Sequence, residues 1–170
     1  TTQIVMSRHK YLTGAAWGLF AISIWVGWIL LTRYGVTTSL SPYDITALRF
    51  ACAGLLLLPI VLRDGLGIKK VGLKIWLIIC IGAGAPYVMI ASSGLIFAPA
   101  ALCWASFTVA MRKASASGFT PLHAAAVVSV ISAVFYLPIY ALWLPHRIAD
   151  APLNAIMIQT IYQGIFVSII

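Results

Sequence analysis

Apolar positions in this chain come in long blocks that do not alternate. Tyr11–Thr32 carries no charged residue. Its roughly 22 residues, at about 1.5 Å each, are enough to cross a hydrocarbon core of about 30 Å. Tyr43–Leu62 is a second block, and it is introduced by a helix-start signal. Ser41 stands as N-cap, Pro42 at the first helical position and Asp44 at the third. Arg63–Lys74 is polar, and Ile75–Met111 is again free of charge. Arg112 and Lys113 follow, then Thr120-Pro121 introduces a span over Leu122–Leu142. A loop from Trp143 to Leu153 carries Arg147 and Asp150, and Asn154–Ile170 is a last apolar run. A transmembrane barrel would alternate with period two. The blocks therefore predict an all-α fold, a polytopic transmembrane helix bundle.

Composition sharpens this reading. Hydrophobic residues make up 62% and charged residues 8% of the 170, against about 45–50% and about 25% in soluble domains. Mean hydropathy is +1.04. So few charged side chains cannot clothe a water-soluble fold, and the composition is equally far from that of a disordered chain. The net charge of +8 comes from 11 Lys+Arg against three acids. All of these cations except Arg49 sit between or at the ends of apolar blocks, so they set membrane topology and do not point to nucleic acid. Arg8 and Lys10 fall on the same side as Arg63, Lys69, Lys70 and Lys74, with Arg33 alone opposite, so the N-terminus is expected in the cytoplasm. Cys52, Cys80 and Cys103 all lie in apolar stretches without CxxC spacing and read as buried small residues. The first block is too long for a signal peptide and lacks a cleavage site. Met6 is a candidate natural start, with residues 1–5 then extraneous.

Shifting the sequence by 79 positions aligns uncommon residues. Trp25 falls on Trp104, Arg33 on Arg112, Pro42 on Pro121 and Pro59 on Pro138. Leu40-Ser41-Pro42 meets Phe119-Thr120-Pro121, and Leu58-Pro59-Ile60 meets Leu137-Pro138-Ile139. This register predicts an internal duplication. It also exposes a misfit. Ile75–Met111 spans about 37 residues, or about 55 Å as one helix, well beyond a bilayer. The third span and the copy of the first claim the same residues. Ile75–Met111 is therefore expected as two antiparallel helices, with a turn or missing chain near residues 94–101, where Pro99 disfavours helix at Ala98.

These residues resemble the drug/metabolite transporter superfamily, specifically its EamA-like ten-helix group. Trp17-Gly18 looks like the first-helix motif of that group. Leu40-Ser41-Pro42, Ala47-Leu48-Arg49-Phe50 and Leu58-Pro59 are similar to its second helix. Gly94-Leu95-Ile96-Phe97-Ala98-Pro99-Ala100 resembles the end of the third. Leu102-Cys103-Trp104 through Pro121 and Pro138 resembles the sixth and seventh, and Tyr162-Gln163-Gly164 the start of the eighth. The resemblance implies two repeats of inverted orientation, in about six spans, incomplete against the ten-helix pattern because helices four, five, nine and ten have no counterpart. Residues 1–11 would be a cytoplasmic segment, 12–97 a first repeat of three spans and 98–170 a second, shortened one. It also implies a bacterial inner-membrane location and alternating-access transport, as export, of small metabolites or drug-like solutes.

Enzymatic chemistry finds little support. Asp64 and Asp150 are loop residues and Asp44 begins a helix. No paired carboxylates, HExxH, GxSxG or phosphate-binding loop occurs, and no cofactor or metal is expected. His9 and His146 lie in loops, while His123 takes the position matching Asp44. Arg49 is the one cation well inside a span, about 10 Å past Tyr43. It either marks function, as a partner for an anion, or reaches back to the headgroups. Gly14, Gly18, Ala21, Trp25, Trp28 and Thr32 form a stripe on the first span. Its GxxxG end permits close helix contact, and its Trp end either lines a cavity or packs at an interface. Gly82, Gly84 and Pro86 before Tyr87 predict a weakened or kinked third helix. Trp25, Tyr87, Trp104, Tyr162, Gln163 and Arg49 are the candidate substrate-binding residues. A small-molecule solute and the lipid bilayer are the expected partners. The alternative is a non-transporting membrane fragment that serves as an assembly unit.

Overall fold

The computed structural model describes residues 8–93 and 97–169. Among them all regular structure is helical: α1 (Arg8–Thr38), α2 (Pro42–Asp64), α3 (Ile68–Val71), α4 (Leu73–Ala83), α5 (Ala85–Ser93), α6 (Phe97–Ala116), α7 (Pro121–Trp143) and α8 (Leu153–Ile161). A π-helical turn over Tyr162–Phe166 and a short α9 (Val167–Ile169) follow. Four stretches are long and apolar enough to cross a membrane: Tyr11–Thr38, Pro42–Asp64, Leu73–Ala91 and Pro121–Trp143.

The helix starts follow from local chemistry. Ser41 and Asp44 form a full capping box: Asp44 N–H donates to Ser41 Oγ at 3.1 Å and Ser41 N–H to Asp44 Oδ2 at 2.7 Å. Thr120 caps α7 with a single side-chain bond, accepting from His123 N–H at 3.2 Å. Pro42 and Pro121 occupy first-turn positions, where an N–H would have no partner in the helix.

Burial is inverted relative to a soluble protein. Leu55, Leu62, Leu142 and Trp143 are all 70% or more exposed, while Asp44, Thr46 and Gln163 are 0% exposed. Water would penalise that outer surface by about 25 cal/mol per Å². A hydrocarbon solvent does not, and it forces polar groups inward. This is an integral membrane helix bundle.

α2 and α7 form its centre and run antiparallel. Tyr136 Oη donates to the Tyr43 carbonyl at 3.2 Å near one end, and His123 Nε2 lies 2.8 Å from the Gly65 carbonyl at the other. Between them, a Cβ on Gly54 would meet Ala133 Cβ at 2.9 Å, so the backbones touch there. Ile75–Met111 is not one helix. Gly67 lies under the Phe119 ring and Gly82 against Cys103 and Phe107, so the chain doubles back and α4 packs antiparallel to α6. Of the residues near 94–101 where a turn or missing chain was expected, 94–96 lie outside the described residues and 97–101 belong to α6. Ala98, expected to fall outside a helix, is instead in the first turn of α6. First-turn N–H groups lack intrahelical acceptors, so Pro99 removes nothing there.

The third span is interrupted as the glycines predict. α4 ends at Ala83, Gly84 is extended (φ −83°, ψ −163°) and α5 begins at Ala85. The Ala85 N–H released by the break donates to Ser132 Oγ of α7 at 3.1 Å. The GxxxG expectation for α1 is corrected. Gly14 and Gly18 have no described atom within reach of a Cβ, whereas Gly27 and Gly35 lie against Tyr162 and Gln159. The partners of α1 reach only its second half, so close approach is needed there.

Candidate functional site

α1, α5 and α6 bring their aromatic groups into contact, and α2 and the last segment carry further polar candidates. α1 contributes Trp25 and Trp28, one turn apart on the stripe read from the sequence. Their rings meet edge-on, with centroids 5.7 Å apart. α5 supplies Tyr87 just past the break, and α6 supplies Trp104 and Phe107. Trp104 is the hub, with its centroid 5.5 Å from Trp25, 5.5 Å from Tyr87 and 5.1 Å from Phe107. Tyr87 closes the ring at 6.4 Å from Trp28. Trp28 and Tyr87 are buried, while Trp25 is 43% exposed, so the cluster has a closed floor and an open rim. Three of the sequence candidates, Trp25, Tyr87 and Trp104, thus meet directly. Trp28, named only in the stripe, belongs with them.

Arg49 stands half-buried on α2. Its guanidinium carbon lies 5.7 Å from the ring centroid of Phe50, its neighbour on the same helix. Its Nε is buried without a hydrogen-bond partner among the described residues, and so is Trp28 Nε1. Among the described residues no aspartate pairs with Arg49. Asp44 is engaged elsewhere, Asp64 pairs with Arg63 at 3.0 Å and Asp150 is in an exposed loop.

The last segment borders the same layer from the other side of α1. Gln163 is fully buried, and its Nε2 donates to Thr32 Oγ1 at 2.9 Å and to Gln159 Oε1 at 3.2 Å. Gln163 Oε1 is a further buried polar atom without a partner. Gln159 Nε2 donates to the Leu31 carbonyl at 2.6 Å. The π-helical turn places Gly164 against Cys52 and the Arg49 carbonyl, a contact that any side chain would obstruct. Such turns often mark functional positions in helices. Tyr162 takes a different role from that of the ring cluster. Its hydroxyl donates to the Ile24 carbonyl at 2.9 Å and its ring stacks on Phe166.

No family model, curated protein or solved structure matches this chain. The site must therefore be read from its own chemistry. Among the described residues it holds a buried indole N–H without a partner, on Trp28, beside flat aromatic faces, and the half-buried Arg49 on α2 has a buried Nε that is likewise unpartnered. Such a set binds and orients. Among the described residues no cluster of His, Cys, Asp or Glu has the make-up to hold a metal ion.

Two further polar arrangements lie at the ends of the α2–α7 pair, and sequence reasoning treated both as plain helix starts. Asp44 accepts from Tyr140 Oη at 2.6 Å and from Arg147 N–H at 3.2 Å, in addition to its capping bond. His123 must carry its proton on Nε2 to meet the Gly65 carbonyl, which can only accept. The available signal was the 79-residue register, which makes Asp44 and His123 equivalent.

Proposed function

We propose that this chain is an integral membrane transporter of small metabolites or drug-like solutes, of the EamA-like drug/metabolite kind, working by alternating access as an exporter in the bacterial inner membrane. One observation carries the reading: the aromatic layer of Trp25, Trp28, Tyr87 and Trp104 is assembled at a break in a spanning helix. A discontinuous span beside buried, unpartnered polar groups is how transporters build a mid-membrane site. The layer draws on α1, α5 and α6, so movement of any one of them changes access to it.

The packing also supports an inverted repeat of about three spans in each half. Gly54 and Ala133 are 79 positions apart and lie against each other at the antiparallel α2–α7 crossing. A residue touching its own repeat mate is what a two-fold axis through that point produces. The capped starts at Ser41–Asp44 and Thr120–His123 fall at opposite ends of the pair, as the same axis requires. On this reading the N-terminus, the 63–74 stretch and Arg112–Lys113 are cytoplasmic.

A second reading, a non-transporting assembly unit, draws on a different observation. An apolar cleft of about 710 Å³ between α4, α5 and α7, lined by Trp76, Cys80, Met89, Phe135 and Tyr136 among others, stands open at the bundle surface. It leaves room for helices of the ten-helix pattern that have no counterpart here. Solute flux in liposomes reconstituted with the purified chain separates the two. Saturable, solute-selective flux supports the transporter, and leakage no greater than in empty liposomes supports the assembly unit.

A further inference from the structure

The apolar cleft of about 710 Å³ along α4, α5 and α7 selects its occupant by chemistry and by size. Cys80, Ala85 and Ser132 are buried at its floor, while Leu77, Ile81 and Phe135 at its rim are 43–65% exposed, so it opens sideways to the hydrocarbon. The polar groups that line it are already engaged. Ser132 Oγ accepts from Ala85 N–H at 3.1 Å, Tyr136 Oη donates to the Tyr43 carbonyl at 3.2 Å, and Trp76 Nε1 donates to the Leu66 carbonyl at 2.8 Å. Pro86 has no N–H to offer. A polar solute would have to break one of these bonds, so the cleft suits an apolar occupant. A spanning helix about 10 Å across and about 30 Å long fills about 2,400 Å³ and could seat only one edge there. A methylene takes about the 30 Å³ of a water, so a chain of about 16 fills about 480 Å³ and enters entirely. The lining on α4 and α5 runs from Trp76 to Met89, about 20 Å. That exceeds the roughly 15 Å half-thickness of the hydrocarbon core, so an acyl chain of one leaflet lies along it for its whole length.

Charge sets which end holds the headgroup. Lys74 stands three residues before Leu77 and seven before Ile81, so all three share one face of α4. It is exposed, just beyond the end of the lining at Trp76. Exposed Lys69 and Lys70 lie on the short α3 immediately before it, and the acid of that stretch, Asp64, is taken by Arg63 at 3.0 Å. At the other end, past Leu144, Arg147 shares its loop with Asp150 and has its N–H on Asp44 at 3.2 Å. We propose that the cleft holds a bound anionic phospholipid, one acyl chain lying between α4, α5 and α7 and the phosphate meeting Lys74. The site needs only the bundle in a bilayer and is independent of solute transport.

For the test, the full chain is dispersed in micelles holding equal amounts of palmitoyl-oleoyl phosphatidylglycerol and phosphatidylcholine. The lipids that stay on it are counted by native mass spectrometry. One phosphatidylglycerol per chain is expected to persist, about fivefold in excess over phosphatidylcholine, the preference that one cation at the membrane surface gives. Lys74→Gln, a change at an exposed position, is expected to bring the two lipids close to parity, whereas Arg147→Gln leaves the preference in place. Met89→Trp fills the cleft and is expected to lower retention of both lipids several-fold. If that variant does not fold, Ile81→Trp at the half-exposed rim takes its place with the same expectation. Equal retention of the two lipids by the unaltered chain, or retention of neither, overturns the proposal. So does a preference that survives Lys74→Gln or is lost in Arg147→Gln, and so does retention unchanged in the cleft-filling variant. A lipid-free dimer assigns the cleft to a second copy of the chain and overturns the lipid.

Discussion

Gly27 shows how narrow the tolerances are at single positions. A Cβ there would run into the Tyr162 hydroxyl, the group that donates to the Ile24 carbonyl. Gly27→Ala is expected to lower stability by about 1–3 kcal/mol, the usual cost of overpacking. Tyr162→Phe removes the atom the new methyl strikes first. In that background the Gly27 substitution is expected to cost less, and a double-mutant cycle of thermal unfolding in micelles checks the coupling. Asp44 is the opposite case, a buried group held by several donors. Asp44→Ala strands Tyr140 Oη, Arg147 N–H and Ser41 N–H, and is expected to cost about 3 kcal/mol or more. Asp44→Asn retains one acceptor oxygen and is expected to cost clearly less in the same unfolding measurement. Equal losses for the two variants would show that the cap, and not the link to α7, carries the effect.

At the level of elements the interrupted third span is the feature to probe. A helix break in lipid releases backbone groups that have no water to turn to. Ser132 Oγ meets one of them, Ala85 N–H, at 3.1 Å. Ser132→Ala is expected to cost about 1–3 kcal/mol, as the stranded buried donor dictates. It should also speed hydrogen exchange at Ala85 while leaving the amides of α2 protected. Exchange at Ala85 as slow as in the unaltered chain would show that the hydroxyl does not hold the break. Gly84 matters for the same segment, because a Cβ there would press on the Cys80 carbonyl and on Ser132 itself.

For the whole molecule the open matter is its orientation in the bilayer. The basic residues of the 63–74 stretch outnumber those near Arg33, so the N-terminal side is expected to be cytoplasmic. With the native cysteines replaced, Lys69→Cys should resist an impermeant thiol reagent in intact cells and react once the membrane is opened. His146→Cys should react in intact cells. Labelling of position 69 from outside would invert the topology and, with it, the direction assigned to transport. The antiparallel α2–α7 pair allows a second check. In the same cysteine-free background, Gly54→Cys with Ala133→Cys should join as a disulfide on mild oxidation, because the two positions touch.

Local chemistry was sufficient for the membrane class, the helix starts and the break. Ser41-Pro42, Thr120-Pro121 and the Gly82–Pro86 glycine–proline cluster act within a turn or two of themselves, so the residues carry the signal directly. The 79-residue register likewise brought Trp25 and Trp104 forward as a pair, and the two rings lie together. Which faces of the helices meet was not legible in this way. In water an apolar stripe marks the buried side, but in lipid the outer surface is apolar too and the stripe loses that meaning. Gly14 and Gly18 were expected to permit close contact, yet among the described residues the close approaches to α1 fall at Gly27 and Gly35. Tyr162 and Gln163 are adjacent in sequence, yet one is tied to an α1 carbonyl and the other borders the unpartnered layer. Asp44 read as a cap and proved also to be a link across the bundle. Those outcomes depend on how each helix is rotated about its own axis. That rotation is set by small residues and buried hydrogen bonds contributed by distant segments, so only the tertiary structure decides it.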